Sequence, residues 1–180
     1  MSSVDEDIKG VAFEHFIQRT TIQNDLGEYF TPRHIVRFMV KLVDPEFRQT
    51  VFDLFCGTGG FLVESYKHLS FKAGRSPRDI EILQTKTIFG QEITSNARIA
   101  KMNMILFGDG HSGVTQINSI NNPPENKFQV VFSNIPFSQS LSRGEIRLVD
   151  SDAKDADEAC LLRCFNSLSE GGSMAVIIPG

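Results

Sequence analysis

From residue 50 onward, short apolar runs alternate with stretches of helical periodicity, and this alternation limits the possible folds more than any other feature. Residues 50–55, 87–91, 114–118, 129–133 and 173–178 read as strands. Residues 60–69, 94–107 and 157–168 read as helices, the last ended by Gly171 and Gly172. Strands and helices alternating at this length predict an α/β fold, a parallel sheet covered by helices on both faces. Ligands of such sheets bind beyond the carboxyl ends of the strands, near the point where strand order reverses. Residues 71–85, with Gly74 and Pro77, read as an extended connection holding at most a short helix, and 121–127 as a turn-rich loop.

Upstream, residues 9–23 place Val11, Phe13, Phe16 and Ile17, with Ile22 beyond them, at helical spacing. Thr31-Pro32 starts a further helix, with threonine as N-cap and proline first in the helix. Its expected apolar face is Ile35, Phe38, Met39 and Leu42, and Asp44-Pro45 stops it. The division expected is a helical segment over 1–31 and a core over 32–180.

The chain has the length of one domain, and 41% hydrophobic with 22% charged residues is ordinary for a soluble globular protein. Its apolar runs are too short to span a bilayer, and the polar, acidic start carries no secretory signal. Cys56, Cys160 and Cys164 form no CxxC pair, which suits a reducing, cytoplasmic setting and gives no metal site. Cys160 and Cys164, one helical turn apart, read as small core residues. The net charge is −4 and there is no basic run. A protein that grips nucleic acid alone usually shows a basic face, and this chain shows none in its sequence.

The sharpest local signal is Asp53-Leu-Phe-Cys-Gly57-Thr58-Gly59-Gly60-Phe61, directly after an apolar strand. Glycines let the backbone turn tightly and approach a ligand, and the following helix offers free N–H groups. A dinucleotide site would place a third glycine where Leu62 stands. Asp53 would repel a pyrophosphate but suits a cationic amine, as in S-adenosylmethionine. A glycine turn without ligand is the bland reading. Glu92 ends the next strand and can accept from both hydroxyls of a ribose, although alone it is also an ordinary loop carboxylate. Asn118, at the third strand end, can bond an adenine amine or simply make a turn.

Asn134-Ile135-Pro136-Phe137 closes the strand 129–133. An exocyclic aromatic amine is a poor nucleophile because its lone pair is delocalised into the ring. Acceptors on its N–H bonds, here the Asn134 side chain and the Ile135 carbonyl, favour a tetrahedral nitrogen. Phe137 offers a face on which a flipped base can stack. The competing reading is a strand followed by a proline turn. Gly27-Glu-Tyr-Phe30-Thr31-Pro32 places an aromatic ring before a helix start, suited to the methionine part of the cofactor, or is only a capped helix.

In this order these motifs resemble the γ-class adenine-N6 DNA methyltransferases, above all the modification subunits of type I restriction-modification systems. The resemblance runs from about residue 9 to the C-terminus. It implies a Rossmann-like class I S-adenosylmethionine-dependent methyltransferase fold, truncated after the fifth strand, since the family's sheet has seven. It implies cofactor contacts from Phe30, Thr31, Pro32, Asp53, Gly57, Thr58, Gly59, Gly60, Phe61, Glu92, Ile93 and Asn118. Asn134, Ile135, Pro136 and Phe137 would hold and activate adenine. S-adenosyl-L-methionine would be the cofactor, without metal or membrane. The partners implied are DNA with its target adenine flipped out, a specificity subunit and a restriction subunit. Ile135 stands where proline is usual, and Asn118 where aspartate is typical. The alternatives are a same-fold enzyme acting on a protein glutamine or an RNA base amine, or a module that binds cofactor without catalysis. A nicotinamide dehydrogenase is disfavoured by Leu62 and Asp53.

Overall fold

A computed structural model describes residues 31–109, 113–136 and 141–178. The helix expected over 9–23, Phe30 and Phe137 lie outside the described residues. Five parallel strands form the sheet, β1 (Val51–Asp53), β2 (Ile88–Glu92), β3 (Gly113–Gln116), β4 (Phe128–Asn134) and β5 (Leu168–Ile177), in the order β3-β2-β1-β4-β5. The chain steps outward from β1 to β3, then returns to lay β4 on the other side of β1. The reversal between β1 and β4 opens the crevice in which such sheets bind ligands.

Helices α1 (Arg33–Val43), α2 (Gly60–Lys72), α3 (Pro77–Lys86) and α4 (Asn96–Leu106) precede the reversal. Most of the buried side chains of α1, α2 and α4 pack with Val51, Val130 and Phe132 in one core. After it come α5 (Arg143–Val149) and α6 (Ala156–Asn166), and a second core joins Phe52, Leu54, Val131 and Ile135 to Cys160 and Cys164 of α6. Both cysteines are fully buried, as two small core residues should be. The sheet is therefore apolar on both faces, the reason its strands read as continuous rather than alternating runs.

Several boundaries differ from the sequence reading. Helix α1 begins at Arg33, not at Pro32, and Thr31 is not its cap. Pro32 takes the cap position, its carbonyl accepting from Ile35 N at 2.9 Å and Val36 N at 3.2 Å. The buried face is Val36, Met39 and Val40, while Ile35, Phe38 and Leu42 face outward. Both triplets satisfy the helical period, and packing against α2 selects the first. The connection 71–85 contains α3, a full helix, capped by Ser76 Oγ accepting from Asp79 N at 3.1 Å. Gly171 and Gly172 do not end a helix. They lie inside β5, where pairing to β4 slips between Phe128 and Val130 and Gly171 adopts φ +71°. A side chain at Gly172 would meet the Gln129 carbonyl at 2.8 Å. Helix α5 has no counterpart in the sequence reading. The loop 121–127 follows β3 and feeds the amino end of β4, mostly exposed.

Candidate active site

The reversal places Asp53, last residue of β1, beside the end of β4. Asp53 is 2% exposed. Its Oδ1 accepts from Ser133 Oγ at 2.6 Å and from Phe55 N at 3.1 Å. Oδ2 has no protein donor among the described residues, so one carboxylate oxygen is left for a ligand. Burial pushes the carboxyl up to about 7, against the pull of the Ser133 and Phe55 bonds, and the Glu92 charge adds to the rise. A buried acid with an unused oxygen is a receptor for a cationic donor.

The glycine turn follows from Asp53. Gly57 and Gly59 have φ of +53° and +86°, which residues with a Cβ rarely adopt. A Cβ on Gly57 would project into open space, so the backbone there presents a bare edge to the crevice. Gly59 is a packing glycine instead, because a Cβ would stand 3.2 Å from that of Ala100 in α4. The turn is held from outside by Asn103 Nδ2 donating to Thr58 O at 2.8 Å and Arg33 Nη1 donating to Gly60 O at 3.1 Å. From inside, Gly57 N donates to Glu92 Oε2 at 2.9 Å.

Glu92 is thus tied to both strand ends, since Oε1 accepts from Thr94 N at 2.8 Å. A carboxylate has about four acceptor sites, so two remain for ribose hydroxyls. Next to it Ile93 is 53% exposed, an apolar surface of the kind an adenine ring covers. Asn118 makes the turn: its Oδ1 accepts from Ile120 N at 2.9 Å and Asn121 N at 3.4 Å. The donors fix the amide orientation, so Asn118 presents nitrogen rather than oxygen to a ligand. Phe61, expected at the cofactor, is 3% exposed and stacks on Phe132 with centroids 5.3 Å apart. Its ring supports the turn from the core. Thr58 and Gly60 are half-buried, Thr31 is half-buried at the start of α1, and Pro32 is exposed.

At the end of β4, Asn134 is half-buried and pairs in register with Ile177, and Ile135 N donates to Ile177 O at 3.2 Å. The Ile135 side chain is 1% exposed in the second core, and Pro136 is half-buried. Asp53 and Glu92 are joined through the turn, and Asn134 directly follows Asp53's partner Ser133. The sequence reading missed Ser133, Asn103 and Arg33. Of these only Ser133 had a signal, its place directly before the tetrad.

The family described as N-6 DNA Methylase matches residues 4–180. The chain belongs to that family. A curated relative, the EcoEI type I restriction enzyme methylase subunit of Escherichia coli, is 26% identical over 185 residues, 99% of this chain and 38% of that protein. A solved structure described as a type I modification subunit from Vibrio vulnificus superimposes with TM-score 0.84 at 29% identity, covering 98% of this chain and 40% of that one. A more distant S-adenosylmethionine-dependent O-methyltransferase from Thermotoga maritima, 14% identical, shares the fold with TM-score 0.58, over 88% of this chain and 49% of that one. The Rossmann-like methyltransferase fold is therefore established. The chain spans about two-fifths of the length of the type I subunits it matches.

Proposed function

We propose that this chain is the cofactor-binding and catalytic part of an adenine-N6 DNA methyltransferase, the modification subunit of a type I restriction-modification system. The observation that carries the reading is the joining of Asp53 to Ser133-Asn134 across the strand reversal. It sets a cation-seeking carboxylate and an amine-activating amide on neighbouring strands. Family membership supports the same reading.

S-adenosyl-L-methionine, when bound, supplies an electrophilic methyl group on a sulfonium. Asp53 Oδ2 would accept from its ammonium and Glu92 from its ribose, while Ile93 and Asn118 would serve its adenine. By the family resemblance, Thr31 and Pro32, with Phe30, would serve the methionine side and Phe137 the target base. Asn134 Oδ1 and the Ile135 carbonyl, with Pro136 fixing the backbone, accept from the two N–H bonds of the target amine. As acceptors they would localise its lone pair on the nitrogen and make the amine the better nucleophile. The amine's surplus proton leaves to water. The protein's contribution is positioning and hydrogen-bond acceptors.

DNA, a specificity subunit and a restriction subunit are the proposed partners, in the cytoplasm. The test is transfer of labelled methyl by the full-length protein with its partners. Label on adenine N6 of DNA is expected. Label in protein or RNA and none in DNA would overturn the reading.

A further inference from the structure

Ser133 is fully buried, and its hydroxyl lies 2.6 Å from Asp53 Oδ1. A hydroxyl donating to a carboxylate at that distance is a charge-assisted bond. Phe55 N donates to the same oxygen, so both protein donors grip one oxygen of the carboxylate, and the other has no protein donor among the described residues. The grip matters because little else near Asp53 favours a negative charge. Among the described residues, Glu92 on β2, Cys56 in the turn and Cys164 on α6 are the titratable groups set against it, and none is a cation.

We infer that Ser133 is a positioning residue for the cofactor. Its hydroxyl orients the Asp53 carboxylate and stabilises its charge so that Oδ2 meets the ammonium of the amino-acid moiety. The inference rests on the cofactor reading above. It also assigns a second duty to the end of β4: the residue before Asn134 serves the cofactor, and Asn134 serves the base.

The test is calorimetric titration of the full chain, as wild type, Ser133→Ala, Ser133→Thr and Ser133→Cys, between pH 6 and 8. Two ligands are used, S-adenosylhomocysteine and 5′-methylthioadenosine, which lacks the amino-acid moiety. Ser133→Ala is expected to weaken S-adenosylhomocysteine by about tenfold at pH 7, with a larger loss at pH 6. Without the hydroxyl, Asp53 holds its proton to higher pH and must release it to take the ammonium. Methylthioadenosine affinity should stay unchanged, and Ser133→Thr should restore S-adenosylhomocysteine binding. Should Ser133→Ala not fold, Ser133→Cys, of similar size but a weak donor, is expected to show the same ligand-selective loss. Equal loss for both ligands, no loss for either, or a loss independent of pH would overturn the role of Ser133. Wild type that binds both ligands while a variant behaves in one of those ways leaves the cofactor reading standing. Wild type that binds neither ligand removes the cofactor reading and this inference with it.

Discussion

Asp53 and Asn134 stand one strand apart, yet their removal should be felt in different steps. Asn134→Ala is expected to lower methyl transfer by at least about 100-fold while leaving cofactor affinity within about twofold. Asp53→Ala should weaken cofactor binding first. Equal cofactor affinity in the two variants, measured by calorimetry, would show the roles to be misassigned. Asp53 also carries a stability signature. Burial raises its carboxyl from 3.8 to about 7, the reverse of a salt-bridged acid. Below pH 4 both folded and unfolded chains hold the proton, and this group costs nothing. Between about 4 and 7 only the unfolded chain has released it, so stability falls as pH rises, and above 7 the full cost persists. Three pH units correspond to about 4 kcal/mol at most. Asp53→Asn should therefore raise the melting temperature at pH 8 and leave it nearly unchanged at pH 4, while cofactor binding is lost. A lower melting temperature at pH 8 would contradict the assignment of burial as the dominant cause.

Among the elements, the start of α2 is the most tightly specified, because Gly59 combines φ +86° with a 3.2 Å approach to Ala100. Gly59→Ala should cost about 1–3 kcal/mol in chemical denaturation. Adding Ala100→Gly should recover only the packing part of that loss, since the backbone strain stays. Ser76→Ala, which removes the cap of α3, should cost about 1 kcal/mol. The two helices also differ in how openly the sequence announces them. Residues 60–69 follow an apolar strand and a glycine turn, so α2 is plain to read. In α3, Gly74 and Pro77 look like breakers, although Ser76-Pro77 followed by Asp79 is a start signal. Helix α5 has only seven residues, too few for a period, and its capping box of Ser142 and Glu145 is its one mark. The site divides similarly. Asp53, Glu92 and Asn134 are legible as candidates because each polar side chain follows an apolar strand. Ser133, Asn103 and Arg33 act through single hydrogen bonds to residues distant in sequence, which no local pattern encodes. Phe61 misled for the opposite reason: a ring beside a glycine turn suggests a ligand contact, yet it is spent on Phe132.

At the scale of the molecule, a chain of net charge −4 has little to offer a polyanion. Taken alone it should bind duplex DNA no tighter than the roughly 10⁻⁴–10⁻⁶ M of sequence-independent binding. Fluorescence anisotropy over a salt series would check this, and a nanomolar affinity with a steep salt slope would mean that a basic surface has been overlooked. Within the described residues no helix is long and apolar enough to cross a membrane. Because every strand points the same way, the two rims of the sheet differ in kind: Asp53, Glu92 and Asn134 all end strands on one rim, and the exposed loop 121–127 feeds β4 on the other. That loop is consequently the place for a handle. A short epitope or a fluorophore-bearing cysteine spliced in near Pro124 would sit a strand's length from the chemistry. The protein could then be tethered to a surface or watched as a single molecule with its working rim turned to solution.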